Sequence, residues 1–225
     1  MEHLSNSCES ERSVVETVKE IKRSFRLMMD GAVAQSMRDK GVDYHLNWGA
    51  TIPRLQTKAQ EIRESLTMNH EPLTLYNLSI QLYKENVREC KILASMLMPA
   101  DEILPEVVDI WQEQIPSQEI AEQLAFNLYQ HLPFAAEKAY QWIASDREYD
   151  QLCGFHILSR LFMNGQEPNE RGINEFIDEA LCALQGPYPA VRKAALQSVQ
   201  RFAELGLLYE RLSKSAMKSI DLDIF

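Results

Sequence analysis

Nowhere does this sequence reach the roughly 18 uninterrupted apolar residues that a membrane-spanning helix needs. Its opening residues, MEHLSNSCESERS, also lack the apolar core of a secretory signal. The expectation is a cytoplasmic chain with no membrane segment. Glycine (8) and proline (9) are scarce among the 225 residues. Most of them separate stretches of helical spacing rather than alternating, strand-like runs. The four cysteines, Cys8, Cys90, Cys153 and Cys182, stand singly, which excludes the close pairing of a structural zinc site or a C-x-x-C redox motif. They read as reduced thiols, with Cys90, Cys153 and Cys182 as small buried hydrophobes on apolar helix stripes. The five histidines, His3, His45, His70, His131 and His156, show no i, i+4 pairing with a carboxylate or cysteine. No metal and no cofactor are therefore expected, and G-x-S-x-G elbows and Gly-rich phosphate loops are absent as well.

Positive charge is in deficit too, with 23 Lys and Arg against 33 Asp and Glu and a net charge of -10. The summed field repels a polyanion, which counts against general affinity for nucleic acid. A local basic stripe can still act, because salt screens charges beyond about 8 to 10 Å.

What is present is apolar material, 45% of the chain, enough for one continuous core, so residues 1–225 are read as a single all-helical domain. In the first helix, 10–29, Val14, Val15, Val18, Ile21 and Phe25 form an apolar stripe. A short helix over 32–40 and an irregular stretch over 41–50 follow. Thr51 then caps a helix that tolerates Pro53 in its first turn. Regular punctuation predicts further helices near 53–66, 72–83, 86–98, 101–113, 117–131, 134–144, 148–163, 170–184, 188–204 and 207–219. Their short connections make successive helices antiparallel neighbours, so that 51–220 becomes a curved α-α superhelix of stacked pairs. The clearest unit runs from Ile173 to Leu184, turns at Gly186-Pro187 and returns as P-A-V-R-K-A-A-L, Pro189 to Leu196. Its second helix resembles the B helix of a HEAT repeat, with small alanines for close packing.

Three segments go further: W-G-A-T-I-P-R-L-Q-T-K-A-Q-E-I (Trp48 to Ile62), L-Y-K-E-N-V-R-E-C-K-I-L-A (Leu82 to Ala94) and V-R-K-A-A-L (Val191 to Leu196). Together they resemble the AlkD-like family of DNA alkylation repair enzymes, the HEAT-like alkylpurine DNA glycosylases, over about 40–205. The resemblance implies a concave face that holds duplex DNA, with aromatic walls and one carboxylate around a cationic alkylated purine. A positively charged leaving group already tends to depart, so a carboxylate beside the sugar stabilises the developing cation. Electron-rich rings hold the base by cation–π attraction.

Mapped residue by residue, the family's site is altered here. The W-D-x-x-D segment falls on Ile115 to Glu122, which puts Gln118 at the aromatic wall and Glu122 at the catalytic acid. Glutamate keeps the charge but displaces it by about an ångström, enough to weaken positioned chemistry. The paired arginines that meet phosphate fall on Gln151 and Leu152. In the helix expected over 188–204 Arg192 and Lys193 keep the basic pair, while Gln197 replaces the second aromatic wall.

Arg54, Lys58, Arg88, Lys91, Arg192 and Lys193 are the candidates for tracking a DNA backbone. The competing reading is a solvated face whose cations are neutralised by Glu61, Glu85 and Glu89. Trp48 is a candidate for stacking on a base, whereas Trp111 and Trp142 lie on apolar stripes and are assigned to the core. Three functions stay open. One is a DNA alkylation repair family protein that binds DNA or a protein partner with weak or no glycosylase activity. Another is an active glycosylase that uses Glu122 on 3-methyladenine or 7-methylguanine, and the last is a protein-interaction scaffold. The sequence sets no oligomeric state.

Overall fold

In a computed structural model, the described residues are 2–39, 44, 46–69 and 75–220, with side chains from residue 14 onward except 67–69. The expectations for His45, His70 and residues 72–74 lie outside these, as do the side chains of His3 and Cys8. Every regular element among the described residues is helical. The order is α1 (Glu2–Phe25), a 3-10 turn (Arg26–Met28), α2 (Gly31–Asp39), α3 (Ile52–Asn69), α4 (Leu75–Lys84), α5 (Arg88–Leu97) and α6 (Pro105–Glu113). It continues with α7 (Gln118–Asn127), a second 3-10 turn (Tyr129–His131), α8 (Ala135–Ile143), α9 (Glu148–Met163), α10 (Glu170–Gln185), α11 (Pro189–Ala203) and α12 (Leu207–Lys218). None of these helices is long and apolar enough to cross a membrane.

Where helix ends differ from expectation, backbone chemistry gives the reason. The helix expected from 101 starts at Pro105, because Leu104 is held extended (φ -79°, ψ 146°) before the proline ring. The helix expected over 117–131 breaks at Leu128 (φ -126°, ψ -60°) and resumes as the 3-10 turn. That expected from 86 begins only at Arg88, since Val87 is extended (φ -131°, ψ 126°) and forms an isolated parallel bridge with Leu46.

The chain divides into two compact units, Met1–Pro116 and Ser117–Phe225. In the N-terminal unit α5 packs on α3 and α4, and α1 on α4. Phe25, Leu55, Leu78, Leu82, Ile92 and Leu93 are fully buried there. Trp111 is buried as expected, stacked on Tyr83 with centroids 4.0 Å apart and planes at 9°.

In the C-terminal unit α9 is central, packed on α7, α8 and α11, and α11 also receives α10 and α12. Gly154 permits the close approach of α8, since a Cβ there would stand 2.7 Å from Ile143 Cγ2 and 2.8 Å from the Ala139 carbonyl oxygen. Trp142 is buried against Tyr129. Phe162, Phe176, Phe202 and Tyr209 tie α9, α10, α11 and α12 together through ring contacts of 4.9 to 5.4 Å. Each such pair adds about 0.5–1.5 kcal/mol beyond area burial. Cys90 and Cys153 are buried as expected, but Cys182 is exposed, lying off the buried Phe176, Ala180 and Ala183 stripe of α10.

Candidate nucleic-acid interface

Two of the six expected DNA contacts are corrected by the fold. Arg88 is 1% exposed and Lys91 7% exposed, so neither reaches a phosphate. Arg88 is absorbed by the stretch before α3: its Nη1 donates to the Ala50 carbonyl at 2.8 Å and lies 3.3 Å from Glu89 Oε1. The same carboxylate oxygen accepts the backbone N–H groups of Trp48 at 3.1 Å and Ala50 at 3.2 Å. Lys91 donates to the Tyr83 carbonyl at 2.8 Å and lies 4.1 Å from the Tyr83 ring centroid. Burial lowers its pKa and pushes the neighbouring Cys90 thiol up to about 12.

The acids expected to neutralise the stripe do so. Glu61 pairs with Lys58 at 3.0 Å, Glu85 with Lys22 at 2.6 Å, and Glu89 with Arg88. Arg54 stays exposed and donates to the Met28 carbonyl at 3.2 Å. Trp48 is half-buried with its Nε1 enclosed, which leaves only part of the indole available for stacking.

The C-terminal unit gathers the remaining candidates. Ser117 caps α7 by accepting the Ile120 N–H at 3.4 Å. One turn in, Gln118 Nε2 donates to Glu122 Oε1 at 2.8 Å. The residue at the expected aromatic wall is therefore bonded to the residue at the expected acid. The neighbouring helix α9 runs parallel to α7. Tyr149 bonds the backbone of Gln118, Cys153 Sγ donates to the Ala121 carbonyl at 3.4 Å, and His156 meets Phe126 edge to face at 4.8 Å. Burial, then Glu148, raises the Tyr149 pKa.

Of the two positions aligned with the family's arginines, Gln151 is half-buried and Leu152 is only 1% exposed. The Leu152 position belongs to the core and holds no phosphate ligand. On α11, Arg192, Lys193 and Gln197 are all exposed, and Arg192 Nη1 closes the preceding turn by donating to the Gly186 carbonyl at 2.7 Å.

Three residues of this surface escape the sequence reading. Phe126 sits one turn beyond Glu122, and its ring is covered by the Arg160 guanidinium at 4.8 Å and by His156. His156 and Arg160 stand four apart on α9, a spacing that points to a shared face; testing the histidines only against carboxylates and cysteines passes over it. Phe126, the one aromatic ring of α7, is thus already engaged by a cation of the protein. Among the described residues no group of His, Cys, Asp or Glu is arranged to hold a metal.

No curated protein matches the sequence. A solved structure described as a new family of proteins related to the HEAT-like repeat DNA glycosylases, with affinity for branched DNA structures, superimposes with a TM-score of 0.71 over 89% of this chain and 80% of that one, at 14% identity. The fold is accordingly HEAT-like and all-α. Residues 21–194 match the family described as DNA alkylation repair enzyme. With most of its length inside that match, this chain belongs to the DNA alkylation repair enzyme family.

Proposed function

We propose that this protein binds DNA, with branched duplexes preferred over linear ones, and has weak or no base-excision activity. The observation that carries this reading is the Gln118–Glu122 hydrogen bond. An amide stands where excision chemistry requires an aromatic face, and it occupies one oxygen of the carboxylate. A glutamine amide offers no electron-rich ring to a cationic purine. The ring one turn away, Phe126, is taken by Arg160. The exposed cations Arg192 and Lys193 on α11 remain available for phosphate. The preference for branched DNA is drawn from the described affinity of the related structure.

Two measurements test the reading. On duplexes carrying 7-methylguanine or 3-methyladenine, base release by the protein is expected to equal that of Glu122→Gln. Release that disappears in Glu122→Gln would instead establish an active glycosylase with Glu122 as its electrostatic carboxylate. A four-way junction is expected to bind more tightly than a linear duplex of equal length, with affinity falling steeply as salt rises. Absence of DNA binding at low salt would overturn the proposal in favour of a protein-binding scaffold.

A further inference from the structure

His156 is an anomaly on the surface shared by α7, α9 and α11. It is 92% buried, being 8% exposed, and its Nε2 has no hydrogen-bond partner. Buried polar nitrogens are nearly always bonded, so this one has an unused hydrogen-bonding position. The charges acting on it are both positive: Arg160 from its own helix and Lys193 from α11, while α7 contributes the uncharged Phe126 ring. Burial first, then these two cations, hold His156 down to a pKa of about 4, so it is neutral near pH 7.

Among the described residues neither cation is matched by a carboxylate. Arg160 lies over the Phe126 ring, and its other contact is a weak one to Met163 Sδ at 3.9 Å. Lys193 is exposed. Two uncompensated cations beside an unpartnered imidazole nitrogen form a positive locus in a chain whose net charge is -10. The guanidinium, ammonium and imidazole offer donors of three different shapes, which suits a tetrahedral anion with several acceptor oxygens better than a planar carboxylate.

We propose that Arg160, Lys193 and His156 form a binding site for a backbone phosphate of DNA. The site rests on the DNA-binding reading and supplies the anchor that Gln151 and Leu152 lack. Arg160 keeps its stacking on Phe126 and turns its N–H edge to the phosphate. Lys193 adds a point charge, and the imidazole donates from Nε2. A phosphate beside the ring offsets the field of the two cations, so the His156 pKa rises on binding. Affinity therefore rises as pH falls through the higher pKa of the bound state, and it levels off below the free value.

The test compares the full chain with the double variant R160Q/K193Q, and with R211Q/K214Q, which loses equal charge on α12. Binding to a fluorescent four-way junction is followed across salt and pH, and the His156 ring is followed by NMR. R160Q/K193Q is expected to bind about ten- to a hundredfold more weakly, as befits lost charge-assisted bonds, with a salt slope shallower by about one. R211Q/K214Q is expected to bind as the parent does, and the His156 pKa is expected to rise on adding DNA to the parent only. Equal binding and slope for the parent and R160Q/K193Q would overturn this site and leave the DNA-binding reading standing. A parent that binds no DNA would overturn both. If inorganic phosphate moves the His156 signals and DNA does not, the site takes the free anion and the proposal fails.

Discussion

The two units each contain a helix with the same pair, V-R, in or just before its first turn, followed by a lysine and small apolar residues, and they put it to opposite uses. In α5 the run is V-R-E-C-K-I-L-A, and in α11 it is V-R-K-A-A-L. The valine is buried in both, Val87 at 4% and Val191 at 1% exposed. The arginines part company there. Arg88 is fully buried and Arg192 exposed. Arg88 is the first residue of its helix, and the stretch 46–50 lies across that end: the Arg88 N–H donates to the Leu46 carbonyl at 3.2 Å. α11 begins earlier, at Pro189, so Arg192 emerges after a proline-capped turn and reaches only back to Gly186. A shared motif fixes the core-facing residue, whereas the fate of its cations depends on what the rest of the chain lays over it.

That contrast predicts the largest mutational difference between the units. Glu89→Ala removes the carboxylate that lies against the buried Arg88 guanidinium and releases the N–H groups of Trp48 and Ala50. The expected loss is about 3–5 kcal/mol, the usual range for removing one partner of a buried pair. Arg192→Ala is expected to stay within about 0.5 kcal/mol of the parent. Urea unfolding of the full chain measures both. The double variant R88M/E89Q is expected to be closer to the parent than Glu89→Ala, because no bare charge is left behind. A Glu89→Ala protein as stable as Arg192→Ala would break the comparison.

Most of the fold is legible in the sequence, since short connections and period-3.6 stripes are local facts. α9, α10, α11 and α12 lie within a residue or so of expectation, and Trp111 and Trp142 lie in the core. The candidate site is legible only where its logic is also local. Gln118 and Glu122 stand one helical turn apart, and their hydrogen bond is what that spacing allows. Arg88 and Lys91 are misread because their burial depends on what packs over them: the stretch 46–50, some forty residues earlier, over Arg88, and Tyr83 of α4 over Lys91. That Leu152 lies in the core is not legible either, because alignment to a motif does not say which way a helix is rotated. His156 is overlooked because its partners come from three helices, and no spacing within one of them reveals the group.

The next comparison concerns buried titratable groups. In the N-terminal unit Glu89 is paired, whereas in the C-terminal unit His156 is buried beside two cations. The folded-state pKa of about 4 lies below the ordinary value of 6.5, so the unfolded chain binds the extra proton first. The stability linked to this group is complete above about pH 6.5, is lost as pH falls, and is gone below about 4. Its size is roughly 3 kcal/mol, each pKa unit corresponding to about 1.4 kcal/mol. Urea midpoints measured between pH 7 and 4 are expected to fall less steeply in His156→Leu than in the parent. Identical pH profiles would show that the ring is solvated in the folded state.

The smallest effect separates two glycines with nearly the same backbone. Gly49 has φ 71° and Gly165 has φ 78°, both left-handed. Gly165 follows α9 in open space, with nothing within 4 Å of an added Cβ. Alanine there costs only the left-handed conformation, about 1 kcal/mol. Gly49 sits where the stretch before α3 crosses the start of α2, and the Asp30 N–H donates to the Trp48 carbonyl at 2.9 Å. A Cβ on Gly49 would stand 2.2 Å from the Asp30 carbonyl oxygen and 2.9 Å from the Ala34 nitrogen. Both are backbone atoms that cannot rotate away, and Asp30 also caps α2 through Oδ1 to the N–H groups of Ala32 and Val33, each at 3.1 Å. Gly49→Ala is therefore expected to cost about 1–3 kcal/mol more than Gly165→Ala, the usual penalty for overpacking. Since the displaced stretch also carries the groups that hold Glu89, the Gly49→Ala and Glu89→Ala losses should be less than additive, whereas Gly165→Ala and Glu89→Ala should add.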